Sequence, residues 1–360
     1  MAAVTVFLST ALGLSCVEVF FRLFYPQPVG ASYRGWSNVP VHTPNFDFSN
    51  ATSEFQMHTH FNSMGLRDRE YSRKKPPNTY RILVLGDSIT AALEVADSEV
   101  YTEILEASLN TPASATHCEV INAGISGFGT GDELRMFDYL GEILEPDLVI
   151  VQFSLINDLS ENVYCRFYRV EGGRPVELYV PATTLPARIE EFLGRHSHLA
   201  QYIRMRVHGT WGEKGELLRH IAEHKERFHA FLYKNAGTAA DFETGWQITF
   251  TYLDELQRRA SRIGARTLLM VRPLDPDIQG VRKSSYPRDL LEAQAKAKGI
   301  LFLDLTPAFV AKSKGNVHKY RFRNDSHWTP VGHRWAAEGL YQFIEEGVLG
   351  PTLEKHVPLP

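Results

Sequence analysis

Four short stretches place groups capable of nucleophilic acyl chemistry at the ends of apolar runs. The run Arg81-Ile82-Leu83-Val84-Leu85 gives way at once to Gly86-Asp87-Ser88-Ile89-Thr90, with helical residues expected from about Ala91. A serine between a strand's carboxyl end and a helix's amino end meets backbone N–H groups that favour developing negative charge, which suits a nucleophile. The same position equally suits a serine that only caps the helix. A second run, Glu119–Asn122, leads into Ala123-Gly124-Ile125-Ser126-Gly127-Phe128-Gly129, whose glycines either let an N–H approach a ligand or form a plain strand-to-helix loop. The third, Leu148–Phe153, leads into Ser154-Leu155-Ile156-Asn157-Asp158; the amide of Asn157 can donate to an oxyanion, or the Asn-Asp pair can form a turn. Near the C-terminus, Asn324-Asp325-Ser326-His327-Trp328 precedes Thr329-Pro330, a helix start, so His327 falls on a loop beside a carboxylate and could take a serine's proton. Each signal is weak alone. Their order along the chain makes them one constellation. Ser88 lacks the second glycine of a Gly-x-Ser-x-Gly elbow, which argues against an α/β-hydrolase.

The elements that must hold these residues read as a parallel sheet flanked by helices. From Arg81 onward, apolar runs alternate with helical periodicity, and five qualify as buried strands: Arg81–Leu85, Glu119–Asn122, Leu148–Phe153, Arg266–Arg272 and Ile300–Asp304. Phe250, Leu253, Leu256, Ala260 and Ile263 share one helical stripe that stops at Gly264. The segment 160–245 is too long for an ordinary crossover and is expected to be an insertion bordering the site. Before the sheet, Phe46-Asp47-Phe48 and Phe55-Gln56-Met57-His58 alternate as short strands do. The expected organisation is an apolar helix over 1–27, a β-rich segment over 28–80, the catalytic domain over 81–347 and a tail over 348–360.

The chain has 360 residues, enough for one large α/β domain with decoration, and a formal charge of −4 that supplies no footprint for nucleic acid. Three cysteines, Cys16, Cys118 and Cys165, form neither a disulfide framework nor a zinc pattern. Residues Ala2 to Tyr25 are apolar apart from Glu18 and Arg22, close to the length of a membrane-crossing helix, so a membrane partner is expected. No basic stretch precedes this run and no small-x-small site follows it, as a cleaved signal would require. His220-Ile221-Ala222-Glu223-His224 matches His-x-x-Glu-His, in which His220 and His224 would bind zinc and Glu223 act as base. That reading makes a metallopeptidase, but the neighbouring Lys225, Glu226 and Arg227 suggest a solvated face and no third ligand can be assigned.

Taken together, the blocks resemble those of the SGNH (GDSL-type) hydrolases, from about Asn62 to Gly347, and Asn62-Ser63-Met64-Gly65-Leu66-Arg67-Asp68 resembles members with an N-terminal membrane helix. The resemblance implies a three-layer α/β/α sandwich with a five-stranded parallel sheet, and a serine esterase or O-acyl transferase that needs no metal or organic cofactor. It implies Ser88 as nucleophile, His327 as base, and an oxyanion hole from the N–H groups of Ser88 and Gly127 with the amide of Asn157. Two positions depart from the family pattern: Leu155 replaces a glycine, and Asn324 stands where the aspartate is common. Asp325 is therefore expected to orient His327; Asn324 and Asp304 are the other candidates, and Asn324 lacks the carboxylate that an imidazolium requires. Acylated carbohydrates, lipid esters and small esters all suit such machinery. A membrane-tethered binding protein that has lost catalysis is the reading from another class. The resemblance places the domain outside the cytoplasm, in the periplasm, whereas Arg22 and Arg34 after the helix pull the other way.

Overall fold

The computed structural model describes residues 2–25, 41–112, 116–165, 167–178, 213–234, 238–282 and 284–349, with further positions between 185 and 203. The Pro26-Gln27-Pro28 break, Gly30 and Arg34 lie outside them. At the N-terminus, α1 (Ala2–Phe24) is exposed at its described residues apart from the half-buried Glu18 and Phe21, and Val4–Phe24 is long and apolar enough to cross a membrane. The short strands expected next form an antiparallel hairpin, β1 (Phe46–Ala51) with β2 (Gln56–Phe61).

Five parallel strands then build one sheet: β3 (Thr79–Gly86), β4 (His117–Gly124), β5 (Leu148–Phe153), β8 (Arg266–Val271) and β9 (Leu301–Asp304), in the order β4-β3-β5-β8-β9. Between β5 and β8 lies a small hairpin, β6 (Tyr168–Glu171) with β7 (Arg174–Glu177). The runs expected as strands are all present, with β3 and β4 longer at both ends than the apolar residues alone indicate. Their burial explains the near-continuous hydrophobic runs, because a parallel sheet is covered on both faces.

Side chains alternate between two cores. Leu83, Leu85, Ile121, Val149, Val151, Leu269 and Val271 face one, Ile82, Val84, Val120, Leu148, Ile150, Leu268 and Met270 the other. The first core is closed by α4 (Thr130–Leu144), α5 (Leu155–Val163), α6 (Glu213–Lys234), α7 (Glu243–Arg262) and α9 (Arg288–Ala297). The second is closed by α3 (Tyr101–Leu109), α10 (Thr306–Ser313) and α11 (Pro330–Ile344), which gives the three layers. The stripe expected over 250–263 lies on α7, which begins earlier, at Glu243. Met64, Leu66 and Tyr71 belong to the first core, so the boundary expected at residue 81 is not a break in packing.

In this strand order the chain passes from β3 to β4 on one side and then crosses back past β3 to β5 on the other, and such a switch point opens a crevice at the carboxyl ends of the strands. Those ends carry Ser88, Gly127 and Asn157.

Candidate active site

Ser88 opens a single-turn helix, α2 (Ser88–Ala91), instead of preceding a helix that starts near Ala91. Asp87 caps it: buried completely, it accepts the N–H of Ile89 at 2.9 Å through Oδ1. The helix stops because Ala92 adopts a left-handed conformation (φ 52°, ψ 39°), and the chain turns through Glu94 before α3. A glycine at 124 is demanded by this tight arrangement, since a Cβ there would lie 2.4 Å from the backbone nitrogen of Ala91. Gly127 does a different job. It sits at φ 75° in the turn that Phe128 N–H closes onto the Ile125 carbonyl at 3.1 Å, a backbone shape that side chains disfavour.

Asn157 is not in a loop or an isolated turn, as expected, but in the first turn of α5, which starts at Leu155 directly after the strand. Asp158, completely buried, accepts the Ser154 N–H at 3.0 Å and so fixes that start. The Asn157 amide donates to Asp87 Oδ2 at 3.1 Å. An amide has two N–H bonds, so one holds Asp87 while the other is available to a ligand.

His327 reaches this crevice from 239 residues away. Its Nε2 lies 2.7 Å from Ser88 Oγ, and its Nδ1 is hydrogen-bonded to Asp325 Oδ1, which also accepts the His327 backbone N–H at 2.9 Å. Of the other two candidates, Asp304 is engaged by Arg288 (3.1 Å) and the Thr306 N–H (2.8 Å), and Asn324 is exposed. The loop is cinched by a bridge between Arg321 and Trp328 and by the Phe322 N–H on the His327 carbonyl. Trp328, buried against Phe309 and Tyr101, anchors it from below, while Glu54 accepts the N–H groups of Arg323 (2.8 Å) and Asn324 (2.7 Å) from the β1–β2 hairpin.

Three participants were not singled out from the sequence: Asp87 as the partner of Asn157, Glu54, and Glu94, whose Oε1 lies 3.5 Å from His327 Nδ1. An aspartate just before a helix start is a recognisable cap signal and could have exposed the first. The zinc-like set does not join the site. His224 Nδ1 contacts Ser160 Oγ at 2.9 Å and the ring of His220 stacks on Tyr164; burial holds the His224 imidazole below its ordinary value. His220, Glu223 and His224 do not bring three donors together; among the described residues, only Glu94, Asp325 and His327 do so.

A family profile for the SGNH hydrolase-like domain of the acetyltransferase AlgX matches residues 232–357. Over that stretch the chain matches an SGNH hydrolase-like domain. The matched stretch contains Asp325 and His327 but not Ser88, Gly127 or Asn157. Similar solved structures include TesA (16% identity, 74% of this chain and 98% of that one, TM-score 0.41). They also include a catalytic mutant of Axe2, an acetylxylan esterase from Geobacillus stearothermophilus (16%, 74% and 94%, 0.41), and the acetyl xylan esterase AlAXEase (14%, 73% and 99%, 0.42). No curated protein matches the chain.

Proposed function

We propose that the protein transfers or hydrolyses acyl esters through an acyl-serine intermediate on Ser88, and that the acyl group is acetyl. The observation that carries this reading is the continuous contact Ser88 Oγ–His327 Nε2 with Asp325 on the opposite ring nitrogen. Ser88 Oγ attacks the ester carbonyl as its proton passes to Nε2; Asp325 holds Nδ1–H and stabilises the imidazolium. The oxyanion is received by the N–H groups of Ser88 and Gly127 and by the Asn157 amide. Collapse expels the alkoxide, which takes the proton from Nε2, and water or a second alcohol then attacks the acyl-serine with His327 acting as base. The acetyl assignment leans on the acetyltransferase named in the matching profile.

The α1 helix is read as a membrane tether that holds the domain outside the cytoplasm. Labelling by a fluorophosphonate probe tests the chemistry: wild-type protein labels and Ser88→Ala does not. Folded wild-type protein that stays unlabelled would make this a binding protein on a hydrolase fold. Ester substrates graded by acyl length should show highest kcat/KM for acetyl. Protein found wholly in the aqueous phase without detergent would dismiss the tether, and protease accessibility in intact cells would assign the side.

A further inference from the structure

Glu94 is a buried carboxylate set beside the His327 imidazole. Its side chain is 9% exposed, its Oε2 accepts no hydrogen bond, and its one ion pair among the described residues is with His327 Nδ1 at 3.5 Å. Burying a carboxylate with one oxygen unsatisfied is costly, so a fold that keeps one against the His327 imidazole keeps it there at a loss to stability. The surroundings hold it in place. The left-handed Ala92 turns the chain back toward the histidine, and Arg67, itself buried, donates to the carbonyls of Ala91, Ala92 and Val95 and to Asp97. Those bonds occupy the guanidinium with the loop that bears Glu94 and not with its carboxylate.

We propose that Glu94 is a second positioning carboxylate for His327, sharing with Asp325 the support of Nδ1–H while Ser88 gives its proton to Nε2. The proposal rests on the acyl-serine reading above and adds to it a fourth side chain. No extra bond is made or broken: Nδ1–H stays on the ring, and both carboxylates lower the energy of the imidazolium beside them. Asp325 is the nearer acid and carries the hydrogen bond; Glu94, less exposed to water, contributes charge at 3.5 Å and stands in reserve if Asp325 is lost. Burial first of all, with Asp325 beside it, raises the Glu94 carboxyl above its ordinary value, against the opposing pull of His327 and Arg67. A positive charge on His327 thus favours the ionised form. The charged and titratable groups facing it are Asp325 and His327 from the C-terminal loop and Arg67 from the segment before the sheet, with His333 of α11 behind them, buried neutral with its imidazole lowered to about 3.

The test is a double-mutant cycle on the full-length protein in detergent, with circular dichroism to confirm folding. Asp325→Asn should reduce kcat/KM by about 10²-fold, since Glu94 remains, and Glu94→Gln by about 10-fold, whereas the double variant should lose about 10⁴-fold or more, beyond the product of the two. Glu94→Met, close in volume and without a polar atom, should match Glu94→Gln and guards against a fault of the buried amide. Removing a negative charge beside His327 lowers the pH at which the imidazole deprotonates, so the acid limb of kcat/KM should move to lower pH in both Glu94 variants. A double variant equal to the product of the singles overturns the proposal, and so does an acid limb that stays in place. Loss of activity on chelation, restored by zinc, would also overturn it by making Glu94, Asp325 and His327 ligands. If Ser88→Ala keeps its turnover, the acyl-serine reading itself is wrong; if Ser88→Ala is inactive and the cycle is multiplicative, only the role of Glu94 falls.

Discussion

Asn157→Ala separates the two roles open to this side chain, because the structure gives each a different readout. As an oxyanion donor, Asn157 acts mainly in the transition state, and removing one such donor costs about 10²–10³ in kcat, or roughly 2.7–4 kcal/mol. As the donor to Asp87, it satisfies one oxygen of a carboxylate with no solvent exposure; losing that bond costs about 1–3 kcal/mol of stability. In a chain of this size that corresponds to a fall in Tm of a few degrees, on the order of 2–4 °C per kcal/mol. Both losses are expected together, with KM nearly unchanged, measured on an acetyl ester for kcat and by thermal melting for stability. A variant with a lowered Tm and unaltered kcat would refute the oxyanion assignment and leave Asn157 as scaffold for Asp87.

Three other changes test how the site is held. Glu54→Ala removes the acceptor for the Arg323 and Asn324 N–H groups and should lower kcat/KM by about 10-fold through misplacement of His327, with the Ser88 probe reacting more slowly; an unchanged labelling rate would count against the hairpin's part in the site. Arg81 is fully buried, bonded to Glu119 on the neighbouring strand and to the Leu144 and Ser72 carbonyls, so Glu119→Ala should destabilise by about 3–5 kcal/mol in denaturant melts, and a loss under 1 kcal/mol would contradict that pairing. Glu133 is buried on α4 with neither carboxylate oxygen hydrogen-bonded, and burial with Asp87 and Asp132 nearby raises its carboxyl well above the ordinary value. A raised acid favours folding less as pH climbs through its folded value, so Glu133→Gln should raise Tm by a few degrees at pH 8 and by almost nothing near pH 4, through relief of roughly 1–3 kcal/mol; a gain independent of pH would be inconsistent with a buried acid.

The sheet was legible because parallel strands leave a strong trace. Leu148–Phe153 has the same limits in the sequence reading and in the structure, since both faces of that central strand are covered and every residue is apolar or, in Gln152, satisfied inside the core. The positions of Ser88 and His327 could be inferred because each lies at a junction of element types. What the sequence did not disclose depends on contacts between distant segments. The placement of Asn157 in a helix follows from Leu155, which continues directly into α5 where a glycine would have allowed a turn, and from Asp158 capping Ser154. Glu94 has no periodic or motif signal at all; its position is decided by the left-handed Ala92 and by Arg67, 27 residues earlier in the chain.

The segment before the sheet therefore belongs to the candidate site, although no group of its own touches the proposed reaction centre. Arg67 fixes the loop after Ser88, Asp68 accepts the Asn122 N–H on the strand that leads to Gly127, and Glu54 fixes the loop before His327. The two halves of the proposed triad come from opposite ends of the domain, and a contact such as Ser88 Oγ–His327 Nε2 survives only if both supporting loops are held to within a fraction of an ångström. A short turn after β3 could not achieve this alone, because α2 is a single turn and Glu94 lies beyond it with no regular structure. Both loops are held from one continuous N-terminal segment, by Arg67 on the Ser88 side and by Glu54 on the His327 side.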